Sequence, residues 1–305
     1  MTTYYTKRLF LWVFLPAFIF IVGCSSVPRA SKNWPQKVLK TLSLREKIAQ
    51  MMIYRMHLKY KDVTPEKWKE ITRLLDGDGI GGIHLWSGDG SSSIAIMNEI
   101  QKRSRIPIIF DADIERGFGQ RFPSGTDFPP MMAITATGNP ENAYEVGKIV
   151  ATESRAAGIH WNLSPVVDVN NNPLNPIINT RSFSENADIV SEFSKKYAKG
   201  LQDYGMIATA KHFPGHGDTQ TDSHSSLAMI PSDSSRLWSL ELKPFATMAE
   251  AGVDVVMVAH VHAPDYQPEA DDPATLSPFW VTDVLKGRLG FDGAIITDGM
   301  GMGGI

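Results

Sequence analysis

Residues 211–224 read Lys-His-Phe-Pro-Gly-His-Gly-Asp-Thr-Gln-Thr-Asp-Ser-His, three histidines and two aspartates in a short stretch. Such side chains hold metals or move protons at ordinary pH. Pro214, Gly215 and Gly217 exclude a regular helix or a central strand, so a loop is expected. Loops carry chemistry more often than packing. On spacing alone three readings stay open. His212, His216 and His224 could ligate a metal with Asp218 or Asp222, though no standard zinc spacing is present. Asp222 and His224, two apart on an extended loop, could point the same way and form an acid–base dyad, the aspartate fixing the imidazole tautomer. Or the histidines could be incidental to a surface loop. Asp298 is a second candidate. It follows Ala294-Ile295-Ile296-Thr297, a buried-strand pattern, and precedes a glycine-rich turn. That place suits a nucleophile at a strand end, or equally a helix N-cap.

The elements that must position these groups alternate along the chain. Apolar, β-branched runs of strand length occur at 79–85, 106–111, 158–169, 206–210, 253–259 and 293–297, with a weaker run near 51–56. Helix-period segments lie between them. Ser43-Leu44-Arg45-Glu46 is a capping box opening a helix through about Met52, and Thr64-Pro65 starts another. Others run near 92–104, 140–157, 186–204, 239–251 and 278–289, several closing on glycine (Gly158, Gly205, Gly252, Gly290). Near-continuous apolar strands alternating with helices predict a parallel sheet covered by helices. Seven strand candidates fit an α/β (β/α)8 TIM-type barrel lacking its last strand and helices, and hence a fragment of a longer chain. A Rossmann-like sheet is the rival, but no Gly-x-Gly-x-x-Gly follows the first strands. Polar residues cluster at the expected strand ends: Asp111 and Asp113; Asn162, Ser164 and Asp168; Lys211 and His212; His260 and His262; Asp298. In a barrel these ends form one face, where the active site is built.

The composition, 43% hydrophobic and 21% charged with a net charge of −3, is that of a globular protein and gives no electrostatic case for nucleic acid. Lys7 and Arg8 precede an apolar run from Phe10 to Val22. That run is shorter than the ~20 residues a membrane span needs and suits a signal peptide. Ile21-Val22-Gly23-Cys24 resembles a bacterial lipobox. Cys24 is the only cysteine, so it has no intramolecular disulfide partner. The expected organisation is a signal peptide over 1–24, a tether over 25–37 and a barrel domain over 38–305. The protein is then an exported monomer, lipid-anchored through Cys24 on the periplasmic side of a bacterial membrane, the outer one expected.

Lys211 to His224 closely resembles the signature of glycoside hydrolase family 3, in its β-N-acetylglucosaminidase branch. Leu44–Met52, Asn162–Asn170, Thr180–Phe183 and Gly290–Asp298 resemble further segments of that family in order and spacing, covering essentially everything after the tether. The resemblance implies a retaining exo-β-N-acetylglucosaminidase acting on peptidoglycan-derived or chitin-like sugars. It implies Asp298 as nucleophile, His224 as general acid/base and Asp222 as its partner. Lys211, His212 and Arg181 would hold sugar hydroxyls, with Asp113 and Arg121 on those of the non-reducing end and His260 as a pocket histidine. Arg116, Phe118 and Gly119 depart from the family pattern in the segment that starts at Asp113. A retaining mechanism needs a nucleophile on one face of the sugar and a proton donor on the other. Histidine's ordinary pKa of about 6.5 allows it to donate and then accept a proton. No metal or organic cofactor is required. The alternatives are a phosphorylase, because a histidine acid/base does not repel phosphate, and a non-catalytic lipoprotein that binds cell-wall sugar.

Overall fold

The computed structural model describes residues 33–231, 233–267 and 272–305. The expected signal peptide, Cys24 and most of the expected tether lie outside the described residues. Helix α1 (Trp34–Thr41), with Pro35 in its first turn, belongs to a separate unit that ends at Leu42. Helical structure therefore starts inside the segment expected as tether, where Pro favours a first turn.

From Ser43 onward strands and helices alternate. The strands are β1 (Ile53–Leu58), β2 (Gly82–Gly88), β3 (Ile109–Ala112), β4 (Trp161–Asn162), β5 (Ile207–Phe213), β6 (Ala228–Met229), β7 (Val255–Val258), β8 (Val261–His262) and β9 (Ala294–Thr297). The helices are α2 (Leu44–Ala49), α3 (Pro65–Asp76), α4 (Ser91–Arg103), α5 (Met131–Thr135), α6 (Pro140–Ala156), α7 (Ala187–Asp203), α8 (Ser234–Ser239) and α9 (Lys243–Glu250). A wider i→i+5 helix runs over Phe279–Arg288. Caps fall where the sequence places them. Ser43 and Glu46 form the reciprocal box, and the Thr64 hydroxyl accepts from Lys67 N–H.

Seven strands form one parallel sheet in the order β1-β2-β3-β4-β5-β7-β9. This order never reverses, so the sheet has no switch point of the doubly wound kind. It is a TIM-like α/β arrangement, unclosed among the described residues. β6 and β8 form a separate parallel pair. The edges show in burial: all four residues of β7 are buried, whereas Ala294 and Thr297 of the edge strand β9 are exposed.

Two elements differ from expectation. The run 158–169 yields regular strand only at Trp161–Asn162. Pro165 has no N–H to give the ladder, and the chain continues beside β5 through single bonds such as Val167 N–H to the Lys211 carbonyl at 2.7 Å. The helix expected over 239–251 is two helices, α8 and α9, with Leu240, Glu241 and Leu242 between them and Pro244 in the first turn of α9.

Helices α6 and α7 cross at glycines. A Cβ on Gly147 would lie 2.3 Å from the Tyr197 carbonyl oxygen, and one on Gly200 2.2 Å from that of Tyr144. The contact matters to the sheet, because Tyr197 of α7 is fully buried and donates its hydroxyl to the Glu115 carbonyl at 2.9 Å. Gly147→Ala is therefore expected to lower unfolding stability by about 1–3 kcal/mol through overpacking. Urea denaturation measures this, and an unchanged midpoint would show that the crossing gives way freely.

Candidate active site

The C-terminal ends of β3 and β5 deliver opposite charges to one place. Lys211, the fifth residue of β5, is only 2% exposed. A buried ammonium costs several kcal/mol unless it is compensated. Its Nζ lies 2.6 Å from Asp113 Oδ1 and 2.8 Å from Glu115 Oε1. Arg181 closes the group from the other side with a fork on Glu115, Nε to Oε2 at 3.0 Å and Nη2 to Oε1 at 2.7 Å. Arg121 donates through Nε to the Asp113 carbonyl at 2.9 Å, and its Nη2 lies 3.9 Å from Asp113 Oδ2. His84 of β2 joins them: Nδ1 is 2.6 Å from Asp111 Oδ1 and Nε2 is 3.7 Å from Asp113 Oδ2. Asn162 of β4 pins the segment in between, donating to and accepting from the Ile114 backbone at 2.8 and 3.0 Å.

These contacts set the protonation states. Burial by itself would raise the Asp113 carboxyl, but the Lys211 ammonium and His84 outweigh it and leave its pKa lowered to about 2. Glu115 is likewise held well below the usual range, Lys211 and Arg181 outweighing burial. Burial works against the His84 cation, yet the Asp111 hydrogen bond and the charges of Asp111 and Asp113 raise its pKa overall.

A second buried carboxylate, Asp168, anchors the loop. Its Oδ2 is 2.7 Å from His212 Nδ1, while Oδ1 accepts from His216 N–H at 2.7 Å and both oxygens meet His212 N–H at 3.2 Å. The loop then passes so close to Val169 that a Cβ on Gly217 would sit 1.7 Å from the Val169 carbonyl oxygen, which only glycine permits. Asn175 binds the carbonyls of His216 and Gly217, and Arg236 pairs with Asp218. His216 is itself a strut: Nδ1 meets Thr219 Oγ1 at 2.6 Å and Nε2 meets Ser223 Oγ at 2.9 Å. Burial and the neighbouring His212 push its pKa down, while Asp168 and Asp298 act in the opposite sense.

The loop ends on Asp222 and His224. Asp222 Oδ1 accepts from the His224 backbone N–H at 2.9 Å and lies 2.7 Å from His224 Nδ1. These two are the accessible pair: the His224 side chain is 53% exposed and that of Asp222 35%. Burial would raise the Asp222 carboxyl, but its bonds to His224 lower it. The His224 carbonyl accepts from Gly303 N–H at 3.0 Å, so the turn after Asp298 packs on the same loop. Asp298 continues the ladder through its N–H to the Val258 carbonyl at 2.9 Å, and its Oδ1 accepts from Gly299 N–H at 2.7 Å. That bond is to the next residue, and turns follow, so the carboxylate is not capping a helix there.

The structure thus gathers Asp113, Arg121, Arg181 and Lys211 into one ionic network and brings the Asp222–His224 loop against the Asp298 turn. His260 departs from expectation. It is fully buried, with Nδ1 2.8 Å from Thr275 Oγ1 and Nε2 3.0 Å from the Gly299 carbonyl oxygen, so neither ring nitrogen is left for a sugar hydroxyl. It braces the Asp298 turn instead. The three loop histidines, each with different partners, do not converge, and no group of three potential metal ligands occurs among the described residues. Sequence reading placed Asp168 among the polar strand ends without giving it a role, and missed Glu115 and His84 as members of the site. For Glu115 the only signal was its spacing of two from Asp113.

Lys211→Met would leave Asp113 and Glu115 facing each other beside Arg181, and an expected loss of about 3–5 kcal/mol follows. The carboxylates have depressed folded pKa values, so their stabilisation is full above the unfolded range near 4 and is lost as pH falls towards about 2. Urea unfolding measured across that range should show this acid-side loss in the wild type and a smaller one in Lys211→Met. Equal slopes would remove the assignment of the acid response to this network.

Residues 43–305 match the Glycosyl hydrolase family 3 N terminal domain. A beta-hexosaminidase of Stenotrophomonas maltophilia is 36% identical over 238 residues, covering 75% of this chain and 70% of that protein. A family 3 beta-N-acetylglucosaminidase structure from Paenibacillus sp. superposes with TM-score 0.78 at 36% identity over 87% of this chain, which spans only 50% of that chain. NagZ from Neisseria gonorrhoeae, solved in complex with N-trifluoroacetyl-D-glucosamine, gives TM-score 0.71 at 31% identity, covering 81% of this chain and 74% of that one. With its seven strands in barrel order and its charged strand ends, the chain belongs to glycosyl hydrolase family 3.

Proposed function

We propose that the chain is the catalytic barrel region of a β-N-acetylglucosaminidase that works with retention. The observation that carries this is the Asp222–His224 dyad, half-exposed on a loop whose backbone is bonded to the turn following Asp298. The beta-hexosaminidase relatives and the N-trifluoroacetyl-D-glucosamine complex support the substrate class, and they favour hydrolysis over phosphorolysis.

Asp298 Oδ1 is engaged by Gly299 N–H, so Oδ2 attacks the anomeric carbon. As the C1–O bond to the leaving group breaks, His224 delivers a proton to the departing oxygen from Nε2, since Nδ1 is held by Asp222. Water then attacks C1 and returns a proton to Nε2, and the bond to Asp298 breaks. Asp222 orients the ring and supports its cationic form. Asp113, Arg121, Arg181 and Lys211 orient the sugar from the ionic network, with His212 beside them on its Asp168 anchor. Their mutual bonds fix their geometry before substrate arrives.

Asp298→Ala should abolish hydrolysis of an aryl β-N-acetylglucosaminide. His224→Ala should slow a poor leaving group by ~10²–10⁴ and an activated one far less. Equal rates for His224→Ala and wild type on both substrates would sink the acid/base assignment. Sugar binding by calorimetry with no turnover in the wild type would instead favour a non-catalytic binder.

The Lys7–Arg8 start, the apolar run to Val22 and the single Cys24 support export with a lipid anchor at Cys24. Cys24→Ser should move the protein from the membrane to the soluble fraction of bacterial cells, and an unchanged distribution would count against the anchor.

A further inference from the structure

His84 and Asp111 form a pair that the proton-transfer chemistry above does not use. The two face each other in register across β2 and β3. His84 Nδ1 lies 2.6 Å from Asp111 Oδ1, and the ring donates to the carboxylate there. Asp111 is fully buried, and its Oδ2 has no hydrogen-bond partner among the described residues, so its carboxylate rests on His84 alone. A buried carboxylate with a single partner is costly, and packing by itself would be better served by an apolar pair. The other end of the ring supplies a reason for the cost. Asp113, two residues beyond Asp111, places its Oδ2 3.7 Å from His84 Nε2. Its Oδ1 is taken by Lys211 Nζ at 2.6 Å. Oδ2 receives no hydrogen bond among the described residues and has Arg121 Nη2 as a second neighbouring cation, at 3.9 Å. Oδ2 is therefore the oxygen of Asp113 left to accept from a ligand.

We infer that His84, held by Asp111, is a positioning residue whose cationic form fixes the Asp113 carboxylate so that Oδ2 meets a sugar hydroxyl. The inference rests on the reading given above, in which Asp113 holds hydroxyls of the non-reducing end. With Nδ1–H committed to Asp111, a neutral ring turns the Nε2 lone pair towards Asp113 Oδ2, and the two acceptors repel. Protonation of Nε2 converts the same contact into an attraction. The charged groups around the ring are Asp111 and Asp113 from the β3 side, Lys211 from β5, and Arg55, its register partner on β1. Burial opposes the cation and Lys211 acts in the same sense, but the Asp111 bond and the two carboxylates outweigh them and raise the pKa. Burial raises the Asp111 carboxyl too, against the pull of His84, so the pair keeps its proton. The cation is thus fully present below the ordinary histidine value of about 6.5 and is lost as pH rises through the raised one. Sugar affinity follows it, falling on the alkaline side.

Calorimetric affinity for N-acetylglucosamine, followed against pH on the full chain, tests this. The wild type should lose about tenfold in affinity as pH rises through the His84 titration. His84→Asn keeps a donor for Asp111 but leaves nothing facing Asp113, so it should bind about tenfold more weakly even at low pH and lack the alkaline fall. His84→Gln directs a neutral amide donor towards Asp113. It should recover most of the affinity, again without the alkaline fall. Asp111→Asn should move the fall to lower pH, because the ring loses its counter-charge. His212, His216 and His224 are present in every variant, so a fall that they cause would persist unchanged in all of them. Wild-type affinity that is flat with pH, an unchanged fall in His84→Gln, or wild-type affinity in His84→Asn overturns the role of His84. In those cases continued hydrolysis of an aryl β-N-acetylglucosaminide leaves the catalytic reading standing. If the wild type neither binds the sugar nor hydrolyses the aryl substrate, both are overturned.

Discussion

The buried ammonium of Lys211 is the constraint around which the site is organised. Taking such a charge out of water is costly, and removing a partner is costlier than never having the pair. Two carboxylates, Asp113 and Glu115, meet it, and the surplus negative charge is met in turn by Arg181. These residues come from the segment after β3, from β5 and from the segment before α7. The network can form only when the parallel sheet is in register. Burial of Tyr197 against the Glu115 carbonyl ties the same segment to α7. The charges thus report on the fold, and the fold protects the charges from solvent.

Around this rigid centre the proton-transfer groups are graded in exposure. Asp168 is fully buried and holds His212 and the start of the loop, His216 is buried and acts as a strut to Thr219 and Ser223, and only Asp222 and His224 reach solvent. A proton donor that must later accept a proton from water needs this access, while its supporting residues need fixed positions. His260 and the Asp298 turn follow the same division: the histidine is sealed in and the carboxylate is left partly open.

Much of the fold was legible. Apolar runs separated by capped helices placed all seven sheet strands within a few residues, and the absence of a glycine fingerprint removed the doubly wound rival. The break in the fourth strand was not legible, because it depends on how Ser164 and Pro165 run beside β5. In the site, the dyad spacing of Asp222 and His224 and the strand-end position of Asp298 were readable as local patterns. Glu115 and His84 were not, since each acquires its meaning from a partner far along the chain, Lys211 and Arg181 for one and Asp111 and Asp113 for the other.

The sequence by itself determined element types, their alternation and the residue kinds at each strand end, because periodicity and capping are short-range properties. It also determined that a loop follows from Pro214, since Pro and Gly permit little else, although the strand itself runs on through Phe213, where the sequence pattern predicts loop from Lys211. Tertiary structure alone decided which charges neutralise one another, which histidines are struts and which one is free to move a proton. Those assignments depend on burial and on distances between segments up to about a hundred residues apart, as between Asp113 and Lys211, and electrostatic strength changes severalfold with the depth at which a pair sits.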